Sequence, residues 1–95
     1  ENSVVAFMRK DEKNKTIIAI CNFTNVTREE YSIGVPRMGK YKIVFNSDST
    51  KFGGEGVIKK TVYTAKKKPM HGFSHSITLK LPALSTLYIE PIEWH

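Results

Sequence analysis

His71 and His75, in Met70-His71-Gly72-Phe73-Ser74-His75, stand four residues apart, the spacing that puts two imidazoles on one helix face for a metal ion. Pro69 and Gly72 make this stretch a loop entering a strand, and no Cys, Asp or Glu lies within ten residues on either side to complete a site. The pair reads as structural or solvated histidines. Nucleophilic chemistry is no better served: serines and threonines are plentiful, but there is no nucleophile elbow and no Cys/His pairing. The only aspartates, Asp11 and Asp48, are flanked by lysines or serines in separate loops, so no carboxylate pair is poised for acid/base work. Gly53-Gly54-Glu55-Gly56 lacks the Lys-Ser/Thr and the helix that a phosphate-binding loop needs, and reads as a flexible, tight turn. No catalytic, cofactor-binding or metal-binding residue is expected, and no cofactor.

Binding is the remaining class. Fifteen Lys+Arg against nine Asp+Glu give +6 and a pI near 9.6, a balance that invites a nucleic-acid partner. The lysines are spread over most connections, however, with Lys66-Lys67-Lys68 the single cluster, and arginine is limited to Arg9, Arg28 and Arg37. Such a dispersed coat serves solubility, and no nucleic acid is expected. Sugar rings pack on exposed aromatic faces, so Tyr88, Trp94 and Phe52 are the candidate glucan contacts, against local packing of Phe52 and Trp94 or contact with another domain.

The elements that position these residues are strands. Ser3 to Met8 and Thr16 to Phe23 form a hairpin across a polar connection. Tyr31 to Val35, Lys40 to Phe45, Val57 to Thr64, Ser74 to Leu81 and Thr86 to Ile89 follow, separated by turn residues. Tyr41, Ile43 and Phe45 alternate with Lys40 and Lys42, and Ile77, Leu79 and Leu81 with Ser76, Thr78 and Lys80. No window repeats with helical period. The expected fold is all-β, an antiparallel Greek-key β-sandwich of about seven or eight strands forming one domain over residues 1–95. At this length such a domain buries about 60–65% of its unfolded surface. No apolar run is long enough for a membrane span, so no membrane is expected. The single Cys21, in Ile-Ala-Ile-Cys, reads as a buried thiol of a reducing, cytoplasmic compartment. Sequons at Asn14, Asn22 and Asn25 are read as unused. The chain opens on Glu1 and enters a strand at once, which suggests a piece of a longer protein.

The first hairpin is apolar on both parities. With Val5 and Phe7 facing the core, Val4, Ala6 and Met8 face outward, and Ile18 and Ile20 oppose Ile17, Ala19 and Cys21. Strands that are buried on both faces have this pattern. Val4, Ala6, Met8, Ile18 and Ile20 are therefore the candidate docking face for another domain; about 400 Å2 of such contact is worth about 10 kcal/mol before ordering costs. The loop from Asn46 to Gly56 is long for a small sandwich and is a candidate contact surface of its own.

Val4-Val5-Ala6-Phe7-Met8-Arg9, Cys21-Asn22-Phe23-Thr24, Tyr31-Ser32-Ile33-Gly34-Val35-Pro36, Asn46-Ser47-Asp48 with Phe52-Gly53-Gly54-Glu55-Gly56, His71-Gly72 with His75-Ser76, and Leu81-Pro82-Ala83-Leu84 follow one another in order. Together they resemble the C-terminal all-β domain of the bacterial glycogen branching enzymes, the 1,4-α-glucan branching enzymes of the α-amylase superfamily (glycoside hydrolase family 13). Met70 stands where that family commonly has Trp, and Glu55 interrupts its Gly-Gly-Ser-Gly. The resemblance implies a cytoplasmic parent enzyme of glycogen synthesis whose (β/α)8 barrel supplies an aspartate nucleophile, a glutamate acid/base and a second aspartate. That barrel cleaves an α-1,4 linkage, holds a covalent glycosyl intermediate and transfers the chain to a 6-hydroxyl. None of those motifs occurs here, so the implied role is non-catalytic: packing on the barrel of the same polypeptide, with α-glucan as the parent's substrate. The alternative is an autonomous α-glucan-binding module.

Overall fold

A computed structural model describes residues 4–10, 12, 13 and 15–94. Ser3 (the expected first residue of the first strand), Asp11 and the sequon residue Asn14 lie outside the described residues. Seven strands follow in order: β1 (Val4–Lys10), β2 (Thr16–Asn22), β3 (Arg28–Val35), β4 (Gly39–Asn46), β5 (Val62–Thr64), β6 (His75–Leu81) and β7 (Ser85–Trp94). They form a five-stranded sheet in the order β1-β2-β7-β4-β5 and a two-stranded sheet β3-β6, with every pairing antiparallel. The chain leaves the larger sheet after β2, returns as β4, crosses again for β6, and then inserts β7 between β2 and β4. This is the Greek-key sandwich that the short strands and their spacing led us to expect. Of the stretch Val57 to Thr64, only Val62–Thr64 is strand, and β7 runs on past Ile89 to Trp94. Pro91 is tolerated there because the β2 pairing stops at Ile89, leaving that side of β7 without a ladder to break.

Ile18, Ile20, Leu87, Ile89, Tyr41 and Ile43 from the larger sheet meet Ile33, Val35, Ile77, Leu79 and Leu81 from the smaller one, all buried. The alternation expected of Ile77, Leu79 and Leu81 holds. That of the first hairpin is reversed. Ile18 and Ile20 are 4% and 0% exposed in the core, and their register partners Met8 and Ala6 lie on the same inner side, with Val4 packed against the core. Val5 and Phe7 therefore point outward, opposite Cys21 and Ala19. The physical reason is that both parities of β1 and β2 are apolar, so alternation defined two sides without indicating which one the second sheet covers. Cys21, expected to be buried, is half-buried on the outer side, its Sγ 3.6 Å from the Thr86 hydroxyl.

Asn22 ties the crossing loops together. Its Nδ2 donates to the carbonyls of Val26 and Pro82 at 3.0 Å each, and its Oδ1 accepts from the Thr24 backbone N–H (3.0 Å) and hydroxyl (2.7 Å). At 1% exposure it is a buried and fully engaged amide, which makes its sequon a structural element. Asn22→Ala should cost about 2–4 kcal/mol, read as a lower urea midpoint at unchanged m-value, because it removes all four hydrogen bonds of a buried amide and leaves the Pro82 carbonyl with the Ser85 hydroxyl at 2.7 Å as its partner. Alkaline pH should also weaken the domain. Burial raises the Tyr41 and Tyr63 phenols above 10.0, outweighing at Tyr41 the opposing hydrogen bond and charge of Arg37. The unfolded chain then releases these protons first, so their contribution is intact below about pH 10 and is lost as pH rises through the higher folded values. A urea midpoint that falls above pH 10 less steeply in Tyr41→Phe than in the parent chain is the expected result.

Candidate functional site: an aromatic docking face

The two histidines stand in different settings, one in a turn and one in a strand. Met70 and Phe73 exchange backbone hydrogen bonds at 3.0 Å in both directions, with His71 (φ 53°) and Gly72 (φ 84°) as the two central residues of a tight hairpin turn. His71 is exposed at that tip, whereas His75 opens β6 with its Nδ1 3.2 Å from the Ser74 hydroxyl. Among the described residues there is no group of three or more His, Cys, Asp or Glu arranged to hold a metal.

Chemistry is instead concentrated on the outer side of the larger sheet. Residues directly opposite each other in antiparallel strands share a face. The register pairs Phe7 with Ala19, Ala19 with Tyr88, and Tyr88 with Phe45. These four residues make one row across the outer surface. The Phe45 ring lies 5.1 Å from that of Tyr88 and 5.6 Å from that of Phe52, centroid to centroid, in tilted contacts. Phe7, Tyr88 and Phe52 are 48%, 42% and 56% exposed, while Ala19, flanked by the two larger side chains, is buried.

Phe45 belongs to this row because of a bulge. Ile43 faces Ile89, and the next register pair joins Phe45 to Tyr88, so two steps along β4 match one along β7. Val44 is the extra residue, and past it the alternation restarts on the other side. This corrects the expectation that Phe45 joins Tyr41 and Ile43 in the core. Three consecutive apolar residues, Ile43-Val44-Phe45, were the available signal, since unbroken alternation would place a polar residue at 44.

The loop after β4 holds Phe52 in place. Asp48 accepts the N–H of Glu55 at 3.2 Å and that of Val57 at 3.1 Å on its two carboxylate oxygens, and its carbonyl accepts the Gly56 N–H at 2.8 Å. Asn46 in turn accepts the Asp48 N–H at 2.9 Å. Gly54 is required because a Cβ there would lie 2.3 Å from the Asp48 carbonyl oxygen, and Gly53 ends the 3-10 turn Thr50–Phe52 at φ 85°. A loop read as flexible is thus cross-tied. Val44, Phe45, Phe52, Ile58, Lys51 and Lys59 line a groove of about 490 Å3 beside it.

Of the three candidate glucan contacts, Tyr88 and Phe52 meet on Phe45, and Trp94 does not join them. Trp94 pairs with Gly39 and contacts Tyr41, whose ring is in the core, so it lies on the opposite side of the sheet from Tyr88. The Arg37 guanidinium covers its ring at 4.5 Å, and Tyr41 donates its hydroxyl to the Arg37 carbonyl at 2.7 Å. Trp94 is a local anchor for the end of β7. The residues expected to dock are divided in the same way: Ile18 and Ile20 are core, and Ala6 and Met8 look into a separate groove with Tyr31, His71 and Phe73.

Two antiparallel sheets with an apolar row on the outer side of the larger one define a β-sandwich domain. The chain matches the family described as alpha amylase, C-terminal all-beta domain, over residues 1–92, and it belongs to that family. It is 44% identical over 91 residues to the 1,4-alpha-glucan branching enzyme GlgB of Aromatoleum aromaticum, covering 96% of this chain and 14% of that protein. The enzymes of the same name from Francisella tularensis subsp. novicida and Halothermothrix orenii are 43% and 44% identical over 94 residues, covering 98% and 97% of this chain. In both, the chain spans 15% of the relative's length.

Asp48→Ala should free the 49–57 segment while leaving the core intact. The expected result is faster amide exchange at Glu55 to Val57, loss of the Phe52–Phe45 ring contact in NMR, and a stability loss of only about 1–3 kcal/mol. Unchanged exchange would mean that the loop is held by something other than this carboxylate.

Proposed function

We propose that residues 1–95 form the non-catalytic C-terminal β-domain of a cytoplasmic 1,4-α-glucan branching enzyme, and that its outer face packs on the catalytic (β/α)8 barrel of the same polypeptide. The parent enzyme cleaves α-1,4-glucan and forms α-1,6 branches in glycogen synthesis, and this domain stabilises it. The observation that carries the reading is the outer aromatic group of exposed Phe7, Tyr88 and Phe52 around the half-buried Phe45, presented by paired strands and a cross-tied loop. Exposed aromatics of this number on one sheet face favour a dry partner surface. The family membership and the 14–15% share of each relative's length support it, since the remaining length is available to supply the barrel. The docking residues are accordingly Val5, Phe7, Phe45, Phe52 and Tyr88, in place of the inner set Val4, Ala6, Met8, Ile18 and Ile20.

The same platform supports a second reading, an autonomous α-glucan-binding module, because Tyr88 and Phe52 stand together as adjacent rings. One pair of variants separates the two. In the full-length enzyme, Tyr88→Lys and Phe52→Lys should each cost about 2–4 kcal/mol more stability under the docking reading than in the 95-residue chain, where the loss is confined to the ring contact with Phe45, about 1 kcal/mol. Equal, small effects in both contexts would overturn docking through this face. Affinity electrophoresis of the 95-residue chain in a glycogen gel tests the second reading: retardation abolished by Tyr88→Ala supports glucan binding, and unaltered mobility of the parent chain removes it.

A further inference from the structure

We propose that the loop tip carrying Phe23, Val26 and Leu84 inserts into an apolar pocket on the catalytic portion of the same polypeptide, as a second contact beside the outer face. The proposal rests on the reading that residues 1–95 are one domain of a longer branching enzyme. Among the described residues Leu84, Phe23 and Val26 are the three most exposed of the large apolar side chains, at 69%, 65% and 58%. All three belong to the two connections that meet where β2 ends and β7 begins, at the paired residues Asn22 and Ser85.

Leu84 is held there at a conformational cost. Its φ is 49°, in the left-handed region that suits Gly and Asn and disfavours a leucine. Two hydrogen bonds to the other loop impose that conformation: the Leu84 N–H donates to the Thr24 carbonyl at 2.8 Å, and the Ala83 N–H donates to the Thr27 hydroxyl at 3.2 Å. The other loop is pinned as firmly. Beyond the four bonds of Asn22, the Thr24 hydroxyl accepts the Val26 N–H at 3.3 Å and donates to the Val26 carbonyl at 3.2 Å. A leucine exposed to this extent gains little packing inside the domain to offset its backbone strain. Strain kept at an exposed apolar side chain points to a contact made outside the domain.

Shape, charge and chain length select the occupant. Exposed side chains on a loop tip form a protrusion, and two protrusions are not complementary, so a two-fold pairing of tips would leave most of each side chain in water. Copies that carry +6 each also repel one another. A pocket on the same polypeptide meets neither obstacle, and the relatives have the length to supply one, since this domain spans 14–15% of them. The tip is continuous with the docking face: by the two-residue period of β2, Phe23 follows Ala19 and Cys21, the outward residues of that strand. Both loops are pinned before contact, so docking them loses little ordering entropy.

Hydroxyl-radical footprinting of the full-length enzyme beside the 95-residue chain reads this burial directly. Phe23 and Leu84 should be oxidised at least about fivefold more slowly in the full-length enzyme, at a ratio independent of protein concentration, because the core of a dry contact excludes solvent. Leu84→Asn adds a test of sign. In the 95-residue chain its urea midpoint should stay level or rise, since Asn accepts a positive φ, whereas in the full-length enzyme the thermal midpoint should fall. Equal oxidation of Phe23 and Leu84 in the two proteins, with Phe52 and Tyr88 protected, overturns the tip contact and leaves outer-face docking standing. Equal oxidation of all four overturns both. Protection that grows with concentration assigns the tip to a second copy and overturns the proposal. So does a Leu84→Asn midpoint that falls alike in both proteins, which would make this side chain part of the domain's own fold.

Discussion

The register between β4 and β7 is the constraint on which the rest of the surface depends. Up to Ile43 the strand closes the core, with Tyr41 and Ile43 buried beneath the central β7. One extra residue, Val44, then turns β4 over, and Phe45 leaves the interior to stand beside Tyr88. Without that residue Phe45 would have to enter a core whose neighbours are already close-packed, at a cost of about 1–3 kcal/mol for overpacking. Tyr88 would then stand alone on the outer face, and Phe52 would have no ring to rest on.

Polar groups do the positioning that the apolar core cannot. Asn22 joins the loop after β2 to the Pro82 turn, Asp48 closes the loop after β4 upon itself, and the Tyr41 hydroxyl holds the Arg37 segment over which Trp94 is covered. Each is a side chain bonded to backbone in a connection between strands, where the sheet ladder supplies no partner. These bonds fix the connections that carry the apolar outer surface. The domain's positive charge is of a different kind, dispersed over exposed lysines. The ion pairs Lys15–Glu90, Lys40–Glu93 and Lys80–Glu29, at 3.3–3.6 Å on the surface, contribute little to stability.

Much of this was legible before folding was considered. Period-two alternation located β4 and β6, and turn residues located the connections. Strand boundaries were less secure where side chains were mixed: Val57 to Thr64 contains enough β-formers to look continuous, yet only three residues find a partner strand. The first hairpin was misread for a different reason. Val4 to Met8 and Ile17 to Cys21 are apolar at every position, so neither face carries a mark of the solvent side.

The residue order alone decides that this chain is all-β and that it belongs with the alpha amylase C-terminal all-beta domains, because these follow from residue type and local spacing. Only the tertiary structure decides that Ile18 and Ile20 are core while Phe7 is surface, that Phe45 joins Tyr88 and Phe52, and that Trp94 lies on the other side. Alternation divides a strand into two sides without naming the inner one. That assignment depends on where the second sheet lies and on the two register shifts between β4 and β7, at Val44 and at Ile92, all set by contacts between residues distant in sequence.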